Sequence, residues 1–96
     1  MVITILEAHV SPEKSAALEL AYRSAVHKLD EGISQTFLLH AFNDPSLWRI
    51  LTVWSSREAL DKMRQSGETP RGVLIFRDAG ADPILSVFDV VVHQAE

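Results

Sequence analysis

The chain reads as an α+β protein of the ferredoxin-like βαββαβ class, a sandwich of one four-stranded antiparallel sheet and its helices. Three observations predict it. Residues 2–10, 33–42, 47–54 and 84–93 are dense in branched and aromatic side chains, the composition of strands. Two of the segments between them carry apolar residues at three- and four-residue spacing behind good helix openings. The order strand, helix, strand, strand, helix, strand is that of a split βαβ unit. The 96 residues are expected to form a single domain spanning 1–96, because a core and its covering rarely close in fewer than about fifty residues.

The first strand meets Ser11-Pro12, where the serine can cap free amides and the proline suits the first helical position. From Glu13 to about Asp30, Ala17, Leu18, Ala21, Tyr22, Ala25, Val26 and Leu29 form one apolar stripe, and Gly32 is expected to end the helix. Asn43-Asp44-Pro45-Ser46 has the composition of a tight turn, so residues 33–42 and 47–54 form a hairpin. If Phe42 closes it opposite Leu47, His40 lies across from Arg49. Phe37 and Leu39 then share a face with Trp48, Ile50, Thr52 and Trp54, and Leu38 and His40 take the other with Arg49, Leu51 and Val53. Ser55-Ser56-Arg57-Glu58 has capping-box spacing from Ser55 and opens a second helix through Ala59, Leu60 and Met63 to Gly67. Between Thr69 and Ala81, the run Val73-Leu74-Ile75-Phe76 could be a buried strand, but Thr69-Pro70 favours a short helix. Asp82-Pro83 breaks the chain before the last strand, predicted over 84–93.

Hydrophobic residues make up 47% of the chain and charged ones 23%, at a mean hydropathy of +0.08, which argues against disorder. Apolar runs are a few residues long, far short of the ~20 needed to span a bilayer. Met1-Val2-Ile3-Thr4-Ile5 has neither a basic start nor a small-residue cleavage site, so the expected location is the cytoplasm. With no cysteine, disulfides and thiolate chemistry are excluded. A net charge of −4 without clustered Lys or Arg removes the footprint of a nucleic-acid binder. Helices cover one sheet face, yet Ile3 and Ile5 make the second face of the first strand apolar too. A second copy packed sheet to sheet is the expected lid, which predicts a homodimer.

Glu7-x-His9-Val10-Ser11-Pro12-Glu13-Lys14 resembles the Glu-x-x-Val-x-Pro-Gly-Lys that ends the first strand of antibiotic biosynthesis monooxygenase domains. Asn43-Asp44-Pro45 resembles their hairpin turn, and Trp54-Ser55-Ser56-Arg57-Glu58-Ala59-Leu60 their Trp-x-Ser-x-Glu-Ala-Leu opening of the second helix. The resemblance runs from Val2 to Val92 and its motifs report architecture more than chemistry. It implies a dimeric α/β barrel with one small-molecule cavity per subunit between sheet and helices. In some members it implies oxidation of phenols, quinols or anthrones by dioxygen without metal or flavin, so no cofactor is expected. Other members degrade haem or process small signalling molecules. The haem-degrading branch uses an asparagine on the first strand, a tryptophan, and a histidine in the later helical region. Here Leu6 falls near the asparagine position, no histidine lies between His40 and His93, and the tryptophan matches Trp54. Haem degradation is therefore disfavoured.

Trp54 offers a flat face and an indole donor to an aromatic ligand, or else packs as core beneath the second helix. Under the assumed register Phe37, Ile50 and Thr52 share its face, and the resemblance adds Leu6, giving an apolar pocket with one hydroxyl. Tyr22 on the first helix could reach in, or pack with its hydroxyl at the edge. His40, across from Arg49 and joined by Glu7 and His9, forms the candidate base and polar group on the dimer-facing side; the alternative is hydrogen bonding at an interface rim. Asp89, inside the last strand, must face solvent or meet a cation. The four histidines lack metal-ligand spacing, so no metal is expected. The expected function is a cofactor-independent monooxygenase acting on a small phenolic, quinol or polyketide-like aromatic. The alternative is a non-catalytic dimeric module that binds a small hydrophobic ligand.

Overall fold

Strand β1 (Val2–His9) lies inside the sheet, antiparallel to β3 (Leu47–Trp54) on one side and to β4 (Ile84–Asp89) on the other. Strand β2 (Ile33–His40) adds to the far edge of β3, giving the order β2-β3-β1-β4. Helices α1 (Ser15–Ala25), α2 (Arg57–Gln65) and α3 (Arg71–Asp78) lie between strands, with α1 against α3. This computed structural model describes residues 1–95. The ferredoxin-like α+β class and the short helix within 69–81 are as the sequence predicts. Among the described residues no helix is long and apolar enough to cross a membrane.

Alternation along β1 sorts the sheet into two faces. Val2, Thr4, Leu6 and Ala8 pair with Trp54, Thr52, Ile50 and Trp48, all beneath the helices. Ile3, Ile5 and Glu7 pair with Val53, Leu51 and Arg49 on the open face. The main core forms where Leu6, Val10, Trp48 and Ile50 meet Leu18, Ile75 and Phe76, of which Phe76 and Leu18 are wholly buried. Burying each of these two side chains contributes about 1.5–3 kcal/mol.

The hairpin register differs by one residue from the expected one. His40 pairs with Trp48 and Leu38 with Ile50, so Phe37 and Leu39 point to the open face with Leu51 and Arg49. Two local features set this. The Ala41 amide bonds the Leu47 carbonyl at 3.1 Å, leaving residues 42–46 as a loop one residue longer than assumed and Phe42 fully exposed. Asp44 organises that loop by accepting from the Ser46 hydroxyl at 2.8 Å and the Ser46 amide at 3.0 Å. These bonds hold its carboxyl below the usual carboxylate range, the hydroxyl contributing most. A bulge between Ile33 and Gln35 then absorbs the offset at the other end of β2.

Element ends also move. Helix α1 stops at Ala25 instead of near Asp30, because the Arg71 guanidinium gathers the carbonyls of Ala25 and Lys28 and the Asp30 carboxylate at 2.9, 2.8 and 2.5 Å. Ser11 makes no side-chain cap, and α2 is capped by Ser56, whose hydroxyl accepts from the Ala59 amide at 3.1 Å. The Ser55 amide, which a capping box would turn to Glu58, is donated to the Gly32 carbonyl at 2.8 Å. The last strand ends at Asp89, opposite Val2, and Val91 and Val92 run on exposed beyond it.

Gly32 turns the chain into β2 at φ +91°, and a Cβ there would sit 2.5 Å from that of Ala59 on α2. Left-handed backbone and steric contact act together, so Gly32→Ala is expected to lower unfolding free energy by about 1–3 kcal/mol. Urea denaturation checks this, and an unchanged midpoint at unchanged slope would refute it.

Candidate functional site

Between the covered sheet face and the three helices lies a cavity of about 430 Å³. It exists because α1 and α3 pack on one end of the sheet and α2 on the other. Two separate buried clusters result: the main core, and a smaller one of Val2, Trp54 and Leu60. Leu6 and Ile50 form the apolar part of the floor, and Gly72 brings α3 down on them: a Cβ at Gly72 would lie 2.7 Å from Leu6 Cδ1. Leu85 and Val87 line the β4 side yet remain 49% and 44% exposed, so the cavity opens there.

Across the middle of the floor runs a row of threonines. Thr52 pairs with Thr4 on one side and with Thr36 on the other, and all three line the cavity. The outer two are held from above. The Trp54 indole N–H donates to Thr4 Oγ1 at 3.1 Å, and the Tyr22 hydroxyl donates to Thr36 Oγ1 at 3.1 Å. Trp54 is 4% exposed and Thr4 8%, so this hydrogen bond is worth about 1 kcal/mol, and losing one partner costs more. Among the described residues the Thr52 hydroxyl has no partner.

The lining gathers Trp54, Thr52, Ile50, Leu6 and Tyr22, all anticipated as ligand contacts. Trp54 serves both as core and as wall, and its indole donor is spent on Thr4 instead of facing a ligand. Phe37 does not line the cavity: the one-residue register difference turns it to the open face, 44% exposed. The expected cluster of His40, Arg49 and His9 does not form, for the same reason. His40, itself exposed, stacks on the buried Trp48 with ring centroids 4.0 Å apart, and its Nε2 bonds the Pro45 carbonyl at 2.8 Å. Arg49 instead pairs with Glu7 across β1 and β3 on the open face, Nε to Oε1 2.6 Å. His9 Nδ1 meets Ser46 Oγ at 2.8 Å beside the turn. Asp89 is exposed at the sheet edge beside Arg57 and Arg64. Trp48 is buried, and its Nε1 has no partner among the described residues.

Sequence reasoning missed Thr4, Thr36 and the charged mouth. The mouth carries Arg64, Arg71 and Arg77 with Asp30 and Glu68. One threonine in each of β1, β2 and β3 was a visible signal, but only the true register brings them into one row. A double-mutant cycle of Trp54→Phe and Thr4→Val is expected to show a coupling of about 1 kcal/mol in unfolding free energy. Strictly additive losses would show that the bond contributes nothing.

A family model described as antibiotic biosynthesis monooxygenase matches residues 1–72. A comparison with curated proteins found no match. Among solved structures, a MhuD point mutant with two manganese protoporphyrin IX bound per active site superposes with TM-score 0.74 at 21% identity, covering 100% of both chains. A protein described as an antibiotic biosynthesis monooxygenase superposes at 0.71 and 20% identity, covering 96% of this chain and 100% of its own. Rv0793 from Mycobacterium tuberculosis does so at 0.68 and 14%, covering 99% and 100%. Such identities establish the shared fold, and the family match takes in most of the sequence; the chain belongs to the antibiotic biosynthesis monooxygenase family.

Proposed function

We propose that the cavity binds a small planar aromatic molecule, a phenol, quinol or polyketide-like ring, and that the chain oxidises it with dioxygen as a cofactor-independent monooxygenase. The observation that carries this reading is the cavity itself, apolar around Leu6, Ile50 and Trp54 with a polar row across its floor. In such a reaction the substrate is its own reductant. An ionised phenol passes an electron to dioxygen and the two radicals combine at a ring carbon. Loss of water leaves a quinone, with one oxygen atom in the new carbonyl and the other in the water. The protein contributes a dry enclosure that keeps the radical pair together, and contacts that fix the ring.

Protoporphyrin, bound by the MhuD mutant, is the other ligand class among the structural relatives. The donor set here does not fit haem iron: no histidine lines the cavity among the described residues, and the Tyr22 hydroxyl is donated to Thr36. No step is therefore routed through haem. The missing histidine does favour a second reading, in which the same cavity binds an aromatic ligand without turning it over.

The reading includes a homodimer packed through the open face, where Phe37, Leu39 and Phe88 are 44%, 40% and 51% exposed. Light scattering is expected to give twice 10.7 kDa at micromolar concentration, and Phe37→Glu to shift the mass towards the monomer. A wild-type monomer at that concentration would remove the dimer.

Oxygen-electrode assays over quinols, naphthols and anthrones test the activity. Uptake of one dioxygen per quinone formed is expected, falling about 10-fold or more in Trp54→Ala. Quenching of tryptophan fluorescence by these compounds without uptake would select the binding reading instead.

A further inference from the structure

We propose that the cavity takes its ligand already ionised, as the phenolate or enolate of an acidic planar compound, and seats the oxyanion on the threonine row Thr4–Thr52–Thr36. This rests on the small-molecule reading of the cavity and names the class of ligand it selects.

The row is polarised in one direction. Thr4 Oγ1 accepts from Trp54 and Thr36 Oγ1 accepts from Tyr22, so each outer oxygen has a lone pair engaged and its own hydrogen left to donate. Thr52, paired with both, is uncommitted. Neighbouring strands lie about 4.8 Å apart, so one oxygen seated at Thr52 can be shared with at most one of the outer hydroxyls, and the other stands along the floor beside the conjugated ring. A negatively charged oxygen gains most from such donors, because hydrogen bonds to an ion in a poorly solvated site are roughly twice as strong as neutral ones.

Among the described residues nothing beside the row is placed to remove a proton. The titratable and charged groups lining the cavity are Tyr22 on α1, Asp30 after it, Arg64 on α2, Glu68 in the following turn, and Arg71 and Arg77 on α3. Tyr22 is a donor to Thr36, Asp30 is bound by Arg71 at 2.5 Å, and Glu68 is exposed at the mouth. The histidines lie elsewhere: none of His9, His27, His40 and His93 lines the cavity. Arg71 is paired with Asp30 and Arg77 with Asp82, and among the described residues Arg64 makes no ion pair, which leaves it as the arginine at the mouth free to meet an arriving anion. Donors without a base describe a site that holds an oxyanion and does not generate one.

The test is a set of binding titrations on the full chain with 1-naphthol, the more acidic 2,4-dinitro-1-naphthol, and 1-methoxynaphthalene, read by calorimetry from pH 5 to 10. Affinity for 1-naphthol is expected to rise through its own ionisation, whereas affinity for the dinitronaphthol, an anion throughout this range, should stay level, so the pH dependence follows the ligand on one protein. The methyl ether, which cannot ionise, should bind about ten-fold or more weakly than the naphtholate at every pH where the latter is charged. Thr52→Val should lose about ten-fold in naphtholate affinity and leave the ether unchanged, while Thr52→Ser, which keeps the hydroxyl, should bind like the wild type. Equal affinity for ether and naphtholate, or the same pH dependence for both naphthols, would overturn the proposal. Loss of oxygen uptake with these titrations intact would defeat the oxygenase reading alone, whereas failure of all three compounds to bind would defeat both.

Discussion

Pairing Leu6 with Ile50 and Thr4 with Thr52 decides, through the two-residue alternation of a strand, every side chain that meets the helices. β1 is bonded on both sides, to β3 and β4, so its register is locked twice and transmits to the whole sheet. A slip of one residue would turn Ile3, Ile5 and Glu7 inward while Arg49 stayed on the open face, so the Glu7–Arg49 pair would break. Burying the carboxylate without its partner would cost several kcal/mol. The alternative registers are thus excluded by charge as much as by hydrophobic burial, and the cavity floor inherits that specificity.

The roof depends on a different kind of contact. Arg71, at the start of α3, gathers two backbone carbonyls and a carboxylate from the segment that follows α1. Exposed ion pairs contribute little alone and weaken with salt. Here one guanidinium satisfies carbonyls at a helix end that have no helical partner, so geometry and not charge carries the effect. The next residue, Gly72, lets α3 descend onto Leu6 and Ile50. Adjacent positions thereby set both the height of the roof and the end of α1.

Element order was legible in the sequence because each signal is local: strand composition, helical spacing, and the glycine and proline breaks between them. Hairpin register was not, because it turned on one loop residue and one bulge, and a difference of one reverses every face of β2. That single uncertainty moved Phe37 out of the cavity and separated His40 from Arg49. Leu6, Ile50, Thr52 and Trp54 survived because β1 and β3 pair independently of the hairpin loop. What Trp54 does with its indole could not be read, since Thr4 lies fifty residues away and meets it only in the fold.

The apolar excess of the sequence divides into two surfaces that β4 joins. On that strand Leu85 and Val87 stand opposite Leu6 and Thr4 and face the cavity, while Phe88 stands opposite Ile3 and faces outward. β4 is an edge strand bonded only to β1, and its residues are exposed throughout, so it is the least supported wall of the site. A partner subunit seated on the open face would bury Phe88 and stiffen this strand, and with it the cavity mouth one residue away. Sheet packing and ligand binding are then linked through one backbone, because residues of opposite parity on β4 serve each.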